Sequence, residues 1–259
     1  MENNQKKFGD IPSYIKWNDE VDNPRFIPDG MNEVERNIKR IGDFLMAGVS
    51  LVVFSPLFLI CYIAVKKEDG GPAIFKQERI GRFGRPFYIY KFRSMREDAE
   101  KDGKPHPATS DDDRITKIGK FIRATRIDEL PQLVDIWIGN MSIVGPRPER
   151  VEHVAKYTED IPEFGYRLKV KGGLTGYAQV YGRYNTTSYD KLKMDLIYVV
   201  NYSLLMDFQI VLETVKIIFS KESTEGFTEK NSKKMNEYGK AHDLAELESA
   251  VAREDEDEE

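Results

Sequence analysis

The segment Arg123-Ala-Thr-Arg-Ile-Asp-Glu-Leu-Pro-Gln132 brings two carboxylates, two guanidinium groups and a proline together in ten residues. Residues adjacent in a helix point about 100° apart, so Asp128 and Glu129 can line neighbouring walls of one pocket. A carboxylate there can act as a nucleophile or metal ligand, and the second as an acid, base or support. Arg123 and Arg126 supply positive charge for a phosphorylated substrate. Magnesium favours carboxylate and phosphate oxygens, so Asp128 is a candidate to hold it against a diphosphate. Acidic residues ahead of a proline also serve as helix caps, and spacing alone does not separate the two roles.

Further cations stand nearby. Lys91-Phe-Arg93 closes an extended segment, where alternation would place Lys91 and Arg93 on one face, able to grip one anion together. In Gly145-Pro-Arg-Pro148 the two prolines stiffen the backbone around Arg147 and present its guanidinium from an extended segment. Gly172, Gly173 and Gly176 suggest a flexible loop with exposed amides. Neither a P-loop nor a dinucleotide-binding glycine pattern occurs. His106, His153 and His242 stand apart from one another and from any cysteine, so no zinc spacing exists.

These residues need elements to position them. Ala73–Glu78 and Pro86–Phe92 are rich in β-branched and aromatic residues and flank Gly81-Arg-Phe-Gly84, which predicts a β-hairpin with a basic loop. Met95–Asp113 is polar and aperiodic. Helical patterns cover Ile115–Ile122, Asp128–Gly139, Val151–Tyr157, Tyr189–Val200 and Leu204–Phe219, and Tyr177–Tyr181 reads as a short strand. Leu196–Phe219 is apolar but interrupted by Asp207 and Glu213, the pattern of an amphipathic helix against a core or a membrane surface.

Phe44–Val65 is 22 residues without a charge, about 33 Å as a straight helix and long enough to cross a bilayer core. Ser55-Pro56 interrupts its centre, where proline removes a backbone donor. Lys39 and Arg40 precede the run and Lys66 and Lys67 follow it, so both ends favour the cytoplasm. A helix bent at Ser55-Pro56 that enters and leaves by one face satisfies both flanks, and Ser55 can hydrogen-bond a nearby carbonyl at the break. Many spanning helices carry proline, however, and an ordinary transmembrane helix stays open on the residues alone. Lys76–Arg126 carries a net charge of +6, and the chain from Lys221 to the end −7, within an overall −5. The basic segment suits a phosphorylated substrate or an anionic surface. The membrane run and the lack of any recognition motif count against nucleic acid. With Cys61 as the single cysteine, no disulfide can form within the chain.

In order, the apolar run with its Ser-Pro, FKQERIGRFGRPFYIYKFRSM, IRATRIDELPQL, GNMSIVGPRPE, GLTGYAQVYGR and LKMDLIYVVNYSLLMD closely resemble the bacterial sugar transferase family, the small monotopic phosphoglycosyl transferases. The resemblance covers about Lys39 to Ser220. It implies transfer of a phospho-sugar from a UDP-sugar to polyprenyl phosphate, with release of UMP. It further implies Asp128 as the nucleophile of a covalent phosphosugar intermediate, Glu129 as its partner, and magnesium near the pair. Lys91, Arg93, Arg123, Arg126, Arg147 and Asp195 are nominated for substrate binding or site support. Gly172, Tyr177 and Tyr181 depart from the family pattern, so donor identity does not carry over.

The expected fold is α/β: α-rich with a short antiparallel β-hairpin, on a re-entrant helix broken at Ser55-Pro56 with interfacial amphipathic helices. The expected divisions are a polar extension at 1–35, the re-entrant helix at 36–67, a catalytic domain at 68–220 and an acidic tail at 221–259. The expected location is the cytoplasmic face of the bacterial plasma membrane, with a second copy or downstream glycosyltransferases as further candidate partners. A non-catalytic membrane scaffold of a polysaccharide assembly complex is the alternative.

Overall fold

The computed structural model describes residues 30–99, 112–182 and 187–219. Most of the polar extension and all of the acidic tail lie outside the described residues, as do His106 and His242.

Helix α1 spans Glu33–Val53 and starts at a capping box: the Asn32 side chain accepts from Glu35 N, and the Glu35 carboxylate accepts from Asn32 N. Helix α2, Ser55–Asp69, follows at a 61° bend. The chemistry of the break is local. Pro56 has no N–H to offer the carbonyl of Val52 four residues back, and the Ser55 hydroxyl donates to that carbonyl instead, at 2.7 Å. Gly70, in the left-handed region at φ 78°, then ends α2. Among the described residues no single helix is long and apolar enough to cross a membrane; α1 and α2 meet that test only as a bent pair.

Strands β1 (Ile74–Ile80) and β2 (Pro86–Phe92) form the expected antiparallel hairpin, with Ile74 opposite Phe92 and Ile80 opposite Pro86. The register leaves Arg93 one residue beyond β2. Helix α3 (Lys117–Ala124) begins two residues later than the apolar pattern suggests, because the Thr116 hydroxyl caps Gly119 N at 2.9 Å and Ile115 bridges back to Met95. A 3-10 helix at Ile127–Gln132 then leads into α4 (Leu133–Ile138), which ends at Gly139 with φ 99°. Together they fill the predicted Asp128–Gly139 helix, with Asp128 in the tighter winding.

A second, parallel sheet pairs β3 (Ser142–Val144) with β4 (Gly173–Thr175). Between them lie α5 (Val151–Asp160) and a 3-10 segment at Pro162–Lys169. Tyr177–Tyr181 is a short helix, α6, and not the predicted strand. The Gly176 carbonyl accepts from Gln179 N and Val180 N, so the chain coils as soon as β4 ends, and the aromatic and β-branched residues that suggested a strand are only partly buried. Helices α7 (Ser188–Val200) and α8 (Leu204–Phe219) complete the order. Leu192, Tyr198 and Val199 of α7 are buried, the last two packing with Val144 of β3, Val170 and Ile210 of α8. Ile89, Leu133, Ile136 and Met141 form a second core that fastens the hairpin to α4 and to Ala47 of α1.

Candidate active site

The turn from α3 into the 3-10 helix sets the position of the two acidic side chains. Arg126 adopts φ 59°, a left-handed conformation that a non-glycine residue takes at a cost on the order of 1 kcal/mol. It redirects the chain so that Asp128 and Glu129 face inward, towards the end of β2 and the Gly145–Pro148 loop.

Glu129 is the centre of a charge cluster. Its Oε1 accepts from Lys91 Nζ at 2.7 Å and from an Arg147 guanidinium nitrogen at 2.6 Å, and its Oε2 meets the other Arg147 nitrogen at 3.3 Å. Burial alone would raise its pKa. The charges and hydrogen bonds of Arg147 and Lys91 outweigh that effect and hold the carboxyl well below the usual range. Asp128 goes the other way: burial first, then the charge of Glu129, push it up, while Lys91, Arg123 and Arg126 oppose the rise. Adjacent carboxyls are thus driven apart, one locked as an anion and one closer to exchanging a proton. Among the described residues no hydrogen bond reaches the Asp128 carboxylate.

The loop that presents Arg147 is clamped from several sides. A terminal nitrogen of Arg167 donates to the Arg147 carbonyl at 2.9 Å, while the same guanidinium holds Asp195 Oδ2 at 2.6 and 2.9 Å. Arg79 donates to the Pro148 carbonyl at 2.9 Å. Asp195 is therefore three contacts from Glu129, through Arg167 and Arg147. Burial raises its pKa and Arg167 opposes that rise.

Two expectations are corrected. Arg93 does not share a face with Lys91 at one anion; its guanidinium grips Asp69 through both carboxylate oxygens and donates to the Pro72 carbonyl at 2.6 Å, tying the end of α2 to the hairpin. The glycine-rich segment is no flexible loop with exposed amides. Gly172, Gly173 and Gly176 are buried where β4 crosses the Gly145–Pro148 loop, and a Cβ on Gly173 would lie 2.1 Å from Gly145 N. The remaining nominated cations flank the pair: Arg123 reaches Ser94 Oγ at 3.4 Å, and Arg126 is exposed. Arg79 and Arg167 escaped the sequence reading, since nothing in their local spacing marks them.

Among the described residues no group of three acidic, histidine or cysteine side chains is arranged to hold a metal ion. Both oxygens of Glu129 are engaged by cations. Asp128 fits a magnesium ion that takes a single carboxylate and draws its other ligands from phosphate and water. Close to the pair, Leu51, Phe58, Leu59, Tyr62, Pro131 and Val134 line an open apolar groove of about 390 Å³, and Pro131 belongs to the same 3-10 helix as Asp128.

Residues 34–221 match the profile of the bacterial sugar transferase family. The chain belongs to that family. It is 40% identical over 190 residues to a UDP-glucose:undecaprenyl-phosphate glucose-1-phosphate transferase of Klebsiella pneumoniae, covering 71% of this chain and 41% of the relative. It is 41% identical over 186 residues to a UDP-N-acetylgalactosamine-undecaprenyl-phosphate N-acetylgalactosaminephosphotransferase of Aeromonas hydrophila, covering 71% and 44%. A UDP-glucose:undecaprenyl-phosphate glucose-1-phosphate transferase of Caulobacter vibrioides is 40% identical over 192 residues, with 71% of each chain covered. The chain thus spans less than half the length of the first two relatives. Among bacterial sugar transferases matched here, both glucose and N-acetylgalactosamine donors appear, and family membership leaves the sugar open.

Proposed function

We propose that this bacterial sugar transferase moves a phospho-sugar from a UDP-sugar to polyprenyl phosphate, releasing UMP and forming a polyprenyl-diphospho-sugar. The observation that carries the reading is the split pair: an Asp128 carboxylate that no hydrogen bond reaches among the described residues, beside a Glu129 that holds Lys91 and Arg147 in place. In the first half-reaction an Asp128 oxygen attacks the sugar-side phosphorus. The new O–P bond forms as the bond to the UMP oxygen breaks, and UMP leaves with that electron pair. In the second, a polyprenyl phosphate oxygen attacks the same phosphorus and the Asp128 carboxylate is released. Lys91, Arg147 and Arg123 place positive charge where two anionic substrates meet an anionic nucleophile. Magnesium, held by Asp128 and substrate phosphates, would add further charge screening there.

The bent α1–α2 pair supports a re-entrant seat in the cytoplasmic leaflet of the bacterial plasma membrane. Val49, Val52, Leu59 and Ile60 are each at least 60% exposed, as is Leu205 of α8. Basic residues flank both ends of the pair, which suits entry and exit by one face. The apolar groove beside Pro131 suits the prenyl chain of the acceptor. The deciding experiment gives nanodisc-held protein a panel of UDP-sugars with magnesium and undecaprenyl phosphate and follows UMP. Turnover together with a phosphosugar adduct that Asp128→Asn abolishes is expected; full turnover by that variant would refute the nucleophile.

A further inference from the structure

Asp135 on α4 is a fully buried carboxylate that the reaction above does not use. Its Oδ2 accepts from Tyr90 N at 3.3 Å, and among the described residues its Oδ1 has no partner. The register of the hairpin explains the first contact. In an antiparallel pair, alternate residues turn their N–H groups towards the partner strand. Arg93 N donates across to Ala73 O at 2.9 Å, which fixes the phase and turns the Tyr90 N–H to the outer edge of β2. That edge packs on the 3-10 helix and α4, away from water, so its donor needs an acceptor from within the protein. The next residue is Lys91, whose ammonium meets Glu129.

We propose that Asp135 is a positioning residue for the catalytic pair: by capping the outer edge of β2 at Tyr90, it fixes the strand from which Lys91 reaches Glu129. This rests on the reading of Asp128 and Glu129 as the reaction centre. The cap requires an acceptor oxygen and not a charge. Of the charged groups on the elements packed around α4, Arg40 of α1 holds the carbonyls of Ile136 and Trp137, Asp43 of α1 accepts from Ile143 N, and Lys91 and Glu129 hold each other, while Asp128 of the 3-10 helix makes no hydrogen bond among the described residues. No ion pair ties Asp135 to any of them among the described residues. Asparagine therefore keeps the function and leucine, of similar size, deletes it.

The test compares wild type, D135N, D135L, K91A and D135L/K91A in nanodiscs, by kcat and KM for UMP release. D135L is expected to lose about tenfold or more in kcat/KM, and D135N to stay within about threefold of wild type. On the K91A background, D135L is expected to cost less than about twofold further, because the residue it positions is already gone. Multiplying losses in the double variant would overturn the positioning role, as would a D135N as impaired as D135L. Circular dichroism checks each fold, and D135A replaces D135L under the same expectations if the leucine variant does not fold. A wild type that releases no UMP removes the reading of the site itself; an active wild type with multiplying losses removes the role of Asp135 alone.

Discussion

Glu129 and Arg147 meet through both carboxylate oxygens, at 2.6 and 3.3 Å, with Lys91 sharing the first oxygen. A carboxylate so engaged is a poor proton carrier. Its work is electrostatic: it orders two cations and raises the pKa of Asp128 next to it.

Glu129→Gln tests that division. The amide keeps the size, removes the charge and turns a donor towards Arg147, so kcat/KM is expected to fall by about 10²–10³. In the proposed mechanism Asp128 must be ionised to attack, so activity is expected to fall as pH drops through its pKa. Removing the Glu129 charge removes one of the influences that raise that pKa, and the acid limb of the kcat/KM profile should move to lower pH. An acid limb that moves upward would contradict the assignment.

Asp195 and Arg167 support a prediction on stability. Both are buried, at 2% and 5% exposure, and Arg167 also holds the Arg147 carbonyl. Asp195→Leu leaves a buried guanidinium with only Glu149, 4.0 Å away, as counter-ion and should cost about 3 kcal/mol in denaturant unfolding. Adding Arg167→Met should recover much of that stability without recovering activity, since the Arg147 loop then lacks its clamp. Full recovery of both would show that the pair serves packing alone.

The hairpin, the Ser-Pro break and the later helices were legible because each is written in local pattern: alternation, a missing donor, or a repeat of apolar residues. Asp128 and Glu129 were locally indistinguishable from a helix cap, and only their company of motifs singled them out. What the sequence hid is non-local. The parallel β3–β4 pair joins segments about thirty residues apart, with no pattern of its own in three-residue strands. Arg167 and Asp195 meet across 28 positions. Arg93 looked like a partner of Lys91 because alternation ignores where the strand ends, one residue before it.

The glycine crossing gives a third prediction. A Cβ on Gly145 would sit 2.3 Å from Lys171 O, and on Gly173 2.1 Å from Gly145 N, both against backbone that cannot swing aside. Gly145→Ala and Gly173→Ala should each destabilise by about 1–3 kcal/mol or more and displace Arg147. Gly42→Ala, where nothing lies within 4 Å of the added carbon, is the control and should stabilise α1 by about 0.5–1 kcal/mol.

The break at Ser55-Pro56 gives a fourth. Pro56→Ala together with Ser55→Ala restores the backbone donor and removes the hydroxyl that fills its place at Val52 O. The 61° bend should relax towards a straight helix, which then becomes long enough to span. Cysteine labelling at Glu33 and at Asp69 in intact cells reads this out: both sites protected from outside in the parent, one exposed in the double variant. Labelling of one site from outside in the parent would rule out the re-entrant seat.

Asp135 makes stability depend on pH in a direction opposite to that of most carboxylates. Burial pushes its pKa up to about 6, and the hydrogen bond from Tyr90 N lowers it only in part. An unfolded aspartate titrates near 4. Below about pH 4 both states hold the proton and there is no penalty. Between about 4 and 6 the unfolded chain gives up its proton first, so the folded state binds more protons and loses stability as pH rises. The loss is complete above about 6 and amounts to about 2–3 kcal/mol. Asp135→Asn removes this titration, so its stability gain over wild type, measured by urea unfolding, should be larger at pH 7 than at pH 4. Using the difference between the two proteins cancels every other group that titrates in the same window. A gain independent of pH would mean that the Asp135 carboxyl has the same pKa folded and unfolded, and that its burial is relieved by a partner the hairpin edge does not supply.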